Sequence, residues 1–263
     1  NGEELTSNKW EYSKTTKFEL VKGEVLEVTT NGKVVNVFDP NTNKITSHKV
    51  LKGTKDISGN YIVNYEDGKL VVLKREISII AKYATKAYDG DYLTSNEWEH
   101  QKDTKYEVVK TEVLTLKTTG SILDFGKVYN PIDKTTIKII KANGDDSTLN
   151  YDVTTSDKGQ LEITKRKITV ETYSYEREYN GEILTYEKAV KDGLYYKVIS
   201  DIDLAKSNER FEIKDYIKDY LDVLLDKDGN VLDKDNKIIL DVYRDDKLIS
   251  DNYDIKYEYG KLK

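Results

Sequence analysis

The sequence predicts a mainly all-β chain, organised as three tandem β-sandwich-like or related β-rich modules arranged end to end. Three observations predict this fold class. Long blocks of residues recur along the chain. Apolar and polar residues alternate with the period of two that is typical of strands. Gly-containing turns separate these segments at short spacing.

The clearest repeat joins a first and a second copy. Residues 1–11 recur as residues 89–99, 88 positions later, and both blocks contain Leu-Thr-Ser-Asn-x-Trp-Glu. Further on, the segment with Pro40 matches the segment with Pro131 at a spacing of 91. This match predicts a three-residue insertion and one equivalent position for the two prolines of the chain.

The end of the repeat reveals a third, divergent copy. Asn60, Asn150 and Asn252 each precede a tyrosine and, a few residues later, a Gly-x-Leu. The third copy lacks the Trp and the Pro of the others and carries an insertion of about 11 residues. The predicted modules are residues 1–74, without a leading strand, residues 75–165, and the divergent residues 166–263.

Several strands can be assigned within the copies. Tyr61, Val63 and Tyr65 alternate with polar residues, as do their counterparts in the other copies, and a short Gly turn then leads to a second strand of a hairpin. Segments rich in β-branched residues predict further strands at Glu24–Thr30, 33–38 and 136–141.

Tyrosine is unusually abundant, with 21 Tyr against 4 Phe. The tyrosines recur at equivalent strand positions, as core residues do. We therefore interpret them as half-buried residues whose hydroxyl groups reach the rim of the core. The alternative is an aromatic platform that binds a sugar or a protein.

The copies join without a flexible linker. At the second junction the inward candidates are Leu161 and Ile163 before the Lys-Arg pair, and Ile168 and Val170 after it. One straight strand cannot bury both an odd and an even set on one face. We predict a strand break at Lys-Arg and a junction that is stiff compared with a Gly/Ser linker.

The third copy allows one short helix. Apolar residues at helical spacing predict it near residues 212–225, and the alternative is a pair of strands unique to this copy. The apolar positions are Ile213, Tyr216, Ile217, Tyr220, Leu221, Leu224 and Leu225.

Composition excludes several classes of function. With 42 Lys and Arg against 48 Asp and Glu, the net charge of −6 gives no footprint for non-specific nucleic-acid binding. The absence of Cys excludes disulfide scaffolds, Cys-ligated metals and thiol catalysis. No apolar run approaches the roughly 18 residues that span a bilayer. His48 and His100 are expected to be exposed strand or loop residues, and without a catalytic motif we predict no enzyme activity.

One acidic loop is a candidate Ca²⁺ site, since closely spaced Asp and Asn can supply the six to eight oxygens that Ca²⁺ needs. Its candidate ligands are Asp226, Asp228, Asn230, Asp233 and Asp235. With Gly229 at the glycine position of an EF-hand, Leu224 occupies the first ligand position and cannot bind the ion. An Asp-Gly turn in a solvated loop is the favoured alternative, and no other cofactor is expected.

The second copy contains a long, ordered set of motifs. Its opening, Lys74-Arg75-x-Ile77-x-Ile79-x-Ala81, leads to Tyr88-Asp89-Gly90-x-x-Leu93-Thr94. It closes with Asn150-Tyr151-Asp152-Val153, Gly159-Gln160-Leu161 and Lys165-Arg166. This set of motifs resembles the YDG/MBG-type repeats of bacterial surface proteins. The resemblance covers the second copy almost fully, the first without its leading strand, and the third at its two ends.

The resemblance implies extracellular modules of large adhesin-like proteins, often anchored to a Gram-positive cell wall. The expected function is a non-catalytic stalk or spacer. The alternative is that the third module itself adheres to a host glycan or protein. The expected partners are neighbouring repeats of the same chain and, in the alternative, a host glycan or matrix protein, with no nucleic acid, no membrane insertion and a monomeric state. Many such stalks carry a self-formed Lys–Asn cross-link beside a buried acid, but here the sequence singles out no particular triad.

Overall fold

The computed structural model describes residues 2–201, 208–218, 223 and 225–263, and its regular structure is mainly strand, as the sequence predicts. The strands are β1 (Glu24–Thr30), β2 (Thr42–Asn43), β3 (Ile45–Lys52), β4 (Lys55–Asp56), β5 (Gly68–Lys69), β6 (Arg75–Ala81), β7 (Ala84–Ala87), β8 (Trp98–His100), β9 (Glu112–Thr118), β10 (Gly126–Tyr129), β11 (Ile132–Lys141), β12 (Tyr151–Ser156), β13 (Gln160–Thr164), β14 (Arg166–Thr172), β15 (Tyr196–Ile199), β16 (Glu209–Tyr216), β17 (Lys234–Asp235), β18 (Ile238–Arg244), β19 (Lys247–Leu248), β20 (Tyr253–Glu258) and β21 (Lys261–Leu262). Short 3₁₀ turns lie at Ser58–Asn60, Thr148–Asn150, Tyr186–Lys188 and Ser250–Asn252. No helix within the described residues is long and apolar enough to cross a membrane.

The chain divides into two compact units, each drawn from three ranges. Unit 1 comprises Asn1–Ile80, Trp98–Lys117 and Ile132–Ser156, and unit 2 comprises Ala81–Glu97, Thr118–Pro131 and Asp157–Lys263. The second copy therefore contributes to both units. These boundaries differ from those of the three modules, whose end-to-end division stays a prediction.

Unit 1 contains four small sheets. Strands β1, β3 and β4 form an antiparallel sheet, and β2 pairs with β5 and β9 with β11. In the fourth sheet β6 is central, between β8 and β12. It buries Ile77 and Ile79 and runs parallel to β12, with Arg75 opposite Tyr151.

Unit 2 repeats the parallel arrangement in the third copy. Here β14 is central between β15 and β20, and it pairs in parallel with β20 so that Arg166 lies opposite Tyr253. The remaining sheets are β10-β13-β7, β16-β18-β19 and β17-β21. Part of the core is a cluster of Tyr88, Ile163, Ile168, Val242, Ile249 and Tyr253.

The repeat is visible as a recurring side-chain contact. In the first copy Gly32 N donates to Asn43 Oδ1 at 3.0 Å, and in the second Gly120 N donates to Asn130 Oδ1 at 3.0 Å. A Cβ atom at Gly32 would collide with Asn43, which explains the glycine. Each asparagine Nδ2 then donates to an equivalent serine carbonyl, at 2.8 and 2.9 Å.

These contacts correct one sequence match. Asn130 corresponds to Asn43, whereas the sequence comparison paired Asn130 with Asp39. Pro40 lies before its asparagine and Pro131 after, so the equivalence of the two prolines is wrong. The asparagine is the equivalent residue because its amide must span two backbone groups.

The predicted strand break at the second junction is confirmed. Strand β13 ends at Thr164 and β14 begins at Arg166, so Lys165 alone separates them. The buried positions change parity there, with Leu161 buried before the break and Ile168 after it. Strands β1 and β11 likewise cover the predicted segments 24–30 and 136–141.

The helix predicted near residues 212–225 is wrong over its first part. Residues 212–216 belong to β16, which pairs with β18 and has a register shift between Ile213 and Asp215. Such a bulge lets Ile213 and Tyr216 face the same apolar cluster although they are three residues apart. That spacing imitates a helix. Residues 219–222 and 224 lie outside the described residues.

Two predicted strands of the first copy are absent. Residues 33–38 make an isolated bridge at Val34 and then turn, because the Asp39 carboxylate accepts the backbone N–H groups of Val35 and Asn36. Residues 61–65 keep a partly alternating exposure but form no strand. Their counterparts β12 and β20 pair in parallel with β6 and β14 rather than with the strand that follows each of them, so the predicted hairpin is wrong. Residues 61–65 pair with no strand among the described residues.

Candidate functional site

The candidate site is a joint at which a loop of one copy meets an asparagine of the next. In the first joint, within unit 1, Val37 N donates to Asn150 Oδ1 at 2.9 Å. Asn150 Nδ2 in turn donates to Asn36 Oδ1 at 2.9 Å. Lys141 Nζ donates to the same Asn36 oxygen at 3.1 Å. One amide side chain thus binds the loop with both its oxygen and its nitrogen.

The second joint, within unit 2, repeats this geometry. Phe125 N donates to Asn252 Oδ1 at 2.6 Å, and Asn252 Nδ2 donates to Asp124 Oδ1 at 3.0 Å. Asp124 is the counterpart of Asn36, and it accepts a hydrogen bond from Lys247 Nζ at 2.7 Å. Arg244 lies 3.6 Å away. The Oδ1 and Nδ2 atoms of Asn150 and Asn252 therefore make equivalent hydrogen bonds in the two joints.

Both asparagines are held by the turn that carries them. Asn150 and Asn252 each end a 3₁₀ turn. A hydroxyl group anchors each turn to the preceding strand, because Thr148 Oγ1 accepts Ile139 N and Ser250 Oγ accepts Val242 N, both at 2.9 Å. The asparagines are thus positioned for the loop of the neighbouring copy.

The two joints differ in charge. In the first joint the loop is fixed by Asp39, whose pKa is lowered because its carboxylate accepts backbone N–H bonds from Asn36 and Val35. In the second, burial alone would raise the pKa of Asp124, but hydrogen bonds from Lys247 and Asn252 hold it below the ordinary value. An amide in the first joint is replaced by an ionised carboxylate in the second.

A buried carboxylate reinforces the second joint. The Glu209 side chain is only 1% exposed, and it accepts hydrogen bonds from the hydroxyl groups of Tyr88 and Tyr253. Arg244 lies 3.5 Å from it. A buried charge needs such partners to offset its lost hydration. Tyr88 belongs to the second copy and Tyr253 to the third, so Glu209 connects the two.

A tyrosine–glutamate pair recurs in all three copies. The hydroxyl groups of Tyr61, Tyr151 and Tyr253 donate to Glu24, Glu112 and Glu209, respectively. Burial and the bond to Glu112 raise the pKa of Tyr151 to about 12. These tyrosines have the hydroxyl partners that the sequence predicts, although Tyr151 and Tyr253 are buried rather than half-buried.

An open cleft of about 400 Å³ lies beside the first joint. Its walls are polar and charged apart from two apolar side chains. The lining residues are Asn36, Phe38, Lys141, Asp145, Asp146, Ser147, Leu149 and Asn150. The cleft is a consequence of the loop meeting the turn, and its two joint asparagines already bind each other.

Two of the proposed calcium ligands have other partners, Asp226 within its own loop and Asp235 at a lysine outside it. Asp226 accepts hydrogen bonds from the backbone N–H groups of Asp228 and Asn230, at 2.8 and 2.9 Å, which is the geometry of a turn. Asp235 lies 2.6 Å from Lys261. Within the described part of the chain, no group of three or more acidic or histidine side chains is arranged to hold a metal ion. The Asp-Gly turn interpretation fits these contacts.

The two histidines lie in strands and are half-buried. In β3, His48 Nδ1 is 2.5 Å from Tyr65 Oη. In β8, His100 Nε2 accepts a hydrogen bond from Val108 N at 3.3 Å. They are less exposed than predicted, and neither belongs to a joint.

The first joint also brings a lysine to an asparagine, the pair that a Lys–Asn cross-link requires. Lys141 Nζ lies 3.1 Å from Asn36 Oδ1, and Asn36 Nδ2 donates to Asp39 at 3.2 Å. The expected cross-link has a buried acid. Asp39 is not buried, and its lowered pKa keeps it ionised. The arrangement therefore fits hydrogen bonding rather than amide formation.

Sequence reasoning found the recurrence of Asn60, Asn150 and Asn252 but not its meaning. The available signal was that an asparagine precedes the recurring tyrosine in every copy although the residues before it differ. The loop partners Asn36 and Asp124 differ in type, so no motif marks them. Comparison with protein-family models, curated proteins and solved structures gave no match for this chain.

Proposed function

We propose that this chain is a non-catalytic stalk or spacer segment of a bacterial cell-surface adhesin-like protein, which projects a binding region away from the cell wall. The observation that carries the proposal is the joint between consecutive copies. Asn150 and Asn252 bind the loop of the preceding copy through the same two side-chain atoms. A stalk that holds a binding region at a distance needs the same stiff connection between each pair of consecutive copies.

The physical argument concerns bending. Separating a loop from its asparagine would break two part-buried hydrogen bonds, each with a net value of about 0.5–1.5 kcal/mol. At the second junction a single residue, Lys165, separates the two strands, so no Gly/Ser linker absorbs the motion. Each added repeat then extends the stalk by a fixed increment.

In this proposal the partners of each repeat are the neighbouring repeats of the same chain. The location is extracellular, attached to the cell wall of a Gram-positive bacterium in the full-length protein. The resemblance of residues 74–94 and 150–166 to repeats of surface proteins supports this location. The chain acts as a monomer and turns over no substrate.

Distance measurement across the first joint tests the proposal. The chain has no cysteine, so Lys49→Cys and Lys138→Cys, at two exposed positions of unit 1, give a unique pair of spin labels. We expect one narrow distance distribution, and Asn150→Ala should broaden it. The matched control is Asn60→Ala, because Asn60 is the exposed counterpart in the first copy and should leave the distribution unchanged.

A broad distribution in the parent, or one that Asn150→Ala does not change, would remove the support for a stiff joint. Solution scattering of the whole chain supplies the second readout. A stalk gives the profile of an elongated particle, and the profile of a compact globule contradicts it. Specific binding of residues 166–263 in a glycan or matrix-protein array would replace the stalk with an adhesive module.

A further inference from the structure

His100 closes a loop of the second copy with one of its ring nitrogens. The loop comprises residues 101–111, between β8 and β9, and its Val108 N donates to His100 Nε2 at 3.3 Å. A ring nitrogen that accepts a hydrogen bond carries no proton, so the neutral imidazole has its proton on Nδ1. His100 Nδ1 is buried and, among the described residues, has no hydrogen-bond partner. The bond from Val108 therefore requires the uncharged form of His100.

Three other hydrogen bonds hold the 101–111 loop within unit 1. They join Thr104 Oγ1 to Ser78 N at 2.9 Å, Glu107 O to Arg75 Nε at 2.6 Å, and Val109 N to Tyr151 Oη at 3.1 Å. None of these three uses a group that ordinarily changes its charge between pH 5 and pH 8, whereas an imidazole does. Among the four bonds, the one at His100 is therefore the bond that responds to mild acid.

The charged groups on the elements around His100 do not stabilise an imidazolium by direct contact. Within the described part of the chain, no carboxylate lies within hydrogen-bond distance of the His100 ring. The half-buried cation is Arg75, which binds the loop one residue before Val108, and the half-buried anion is Glu112, which accepts the Tyr151 hydroxyl. The other charged side chains of β6, β8 and the loop are exposed: Glu76, Glu99, Lys102, Asp103, Lys105, Glu107 and Lys110. Protonation would thus add a charge beside a buried N–H that has no acceptor.

The first copy makes the same bond with a tyrosine. Tyr12 is the counterpart of His100, 88 positions earlier, and Leu20 N donates to its hydroxyl oxygen at 3.0 Å. The neighbouring indole is placed alike, because the ring centroids of Trp10 and Tyr12, and those of Trp98 and His100, both lie 5.2 Å apart and edge to face. A phenol stays neutral in the range in which an imidazole is protonated. The two copies therefore share the geometry of the bond and differ in whether its acceptor can take up a proton.

We propose that His100 is an acid-sensitive switch that opens the 101–111 loop of the second copy. Above about pH 7 the neutral ring accepts the bond from Val108 and the loop is closed. As the pH falls below about 6, the ring takes up a proton from solvent at Nε2, the atom that accepts the bond, and the bond is lost. The loop then opens locally around Val108. His100 belongs to neither joint, and the switch does not depend on the proposed stalk function.

Amide hydrogen exchange of the full chain tests the switch, with rates expressed as protection factors so that the intrinsic pH dependence of exchange cancels. His48→Gln in every sample leaves His100 as the one imidazole of the chain. Between about pH 7.5 and about pH 5 we expect the protection of residues 101–111 to fall about tenfold and that of residues 13–23 to stay constant. His100→Tyr, which copies the first copy, should abolish the fall, and Tyr12→His should transfer it to residues 13–23.

The nitrogen chemical shifts of the His100 ring give a second readout that needs no change at His100. At about pH 7.5 we expect a proton on Nδ1 and none on Nε2, and at about pH 5 a proton on both. A proton on Nε2 at the higher pH, equal protection of the loop at both pH values, or a fall in protection that persists in His100→Tyr would overturn the proposal. An equal fall throughout unit 1 would also overturn it, because acid would then unfold the unit rather than open the loop.

Discussion

The first and second copies align without a gap over residues 1–32 and 89–120, yet fewer residues of the first copy form strands. The segments at Tyr61 and Tyr151 have the same alternating character, but only the second forms a strand, β12. The difference is the presence of β6 beside it. The comparison teaches that alternation gives a segment the capacity to pair, while a neighbouring strand decides whether it does.

The two copies also differ in how deeply they bury equivalent leucines. Leu114 in the second copy is 5% exposed, whereas its counterpart Leu26 is half-buried. Ile77 and Ile79 of β6 are also buried in the second copy. The second copy therefore buries this leucine position more fully than the first.

The largest expected effect is in β6 itself. Ile77→Ala should lower the free energy of unfolding by about 2–5 kcal/mol, because it leaves a cavity in a close-packed core. Ile62→Ala in the first copy is the control, since a side chain that is 94% exposed should change stability by about 0.5 kcal/mol or less. Urea unfolding followed by tryptophan fluorescence measures both, since both tryptophans lie in unit 1. Equal losses would break the comparison.

The next effect compares equivalent leucines. Leu114→Ala should cost about 2–4 kcal/mol, and Leu26→Ala about half as much, because a half-buried leucine loses less buried apolar surface than a buried one. The same fluorescence titration measures the two values. A larger loss at Leu26 would show that the first copy is packed as tightly as the second.

The joints offer a charge comparison between Asn36 and Asp124. Asn252→Asp places a second carboxylate 3.0 Å from Asp124, whereas Asn150→Asp faces a neutral amide with Lys141 nearby. We expect Asn252→Asp to cost about 2 kcal/mol and Asn150→Asp about 1 kcal/mol at pH 7. The thermal midpoint, followed by circular dichroism, measures the difference.

The two variants should also differ in how their stability depends on pH. Repulsion in Asn252→Asp raises the pKa of one carboxyl of the pair in the folded state, so the penalty is present at neutral pH and is relieved as that group takes up a proton below about pH 5. Asn150→Asp should show much less relief. Parallel curves for the two variants would contradict this account of the joints.

The smallest effect concerns the recurring tyrosines. Burial raises the pKa of Tyr151 to about 12, so its stabilising contribution is complete below the ordinary value of about 10 and is lost as the pH rises through about 12. Tyr151→Phe should remove the late part of the tyrosinate absorbance change and flatten the fall in stability over this range. Tyr61→Phe should remove an earlier part, because Tyr61 is less buried. An unchanged late phase in Tyr151→Phe would contradict the assignment.

Part of this architecture could be predicted from the sequence. The all-β class, β1, and the break between β13 and β14 follow from alternation and from the change of parity at Lys165. The helix near residues 212–225 was wrong because the bulge between Ile213 and Asp215 gives strand residues a helical spacing. Local pattern cannot separate these two cases.

The joints could be predicted only in part. The recurrence of Asn150 and Asn252 is visible in the sequence, but their contacts join residues more than 100 positions apart. Whether a turn asparagine meets solvent or a neighbouring loop depends on chain topology. The match between the two prolines was wrong because it compared residue types alone. The equivalence of Asn43 and Asn130 is visible only in their hydrogen bonds.

The parallel pairing of β14 with β20 has a mechanical consequence. These strands stand at the beginning and the end of the third copy, and six residue pairs connect them in one continuous register. Tension applied at Arg166 and at Glu258 pulls the two strands past each other along their length. The load is then shared by all the backbone hydrogen bonds of the pair at once, whereas an antiparallel hairpin pulled at its open end unzips one bond at a time.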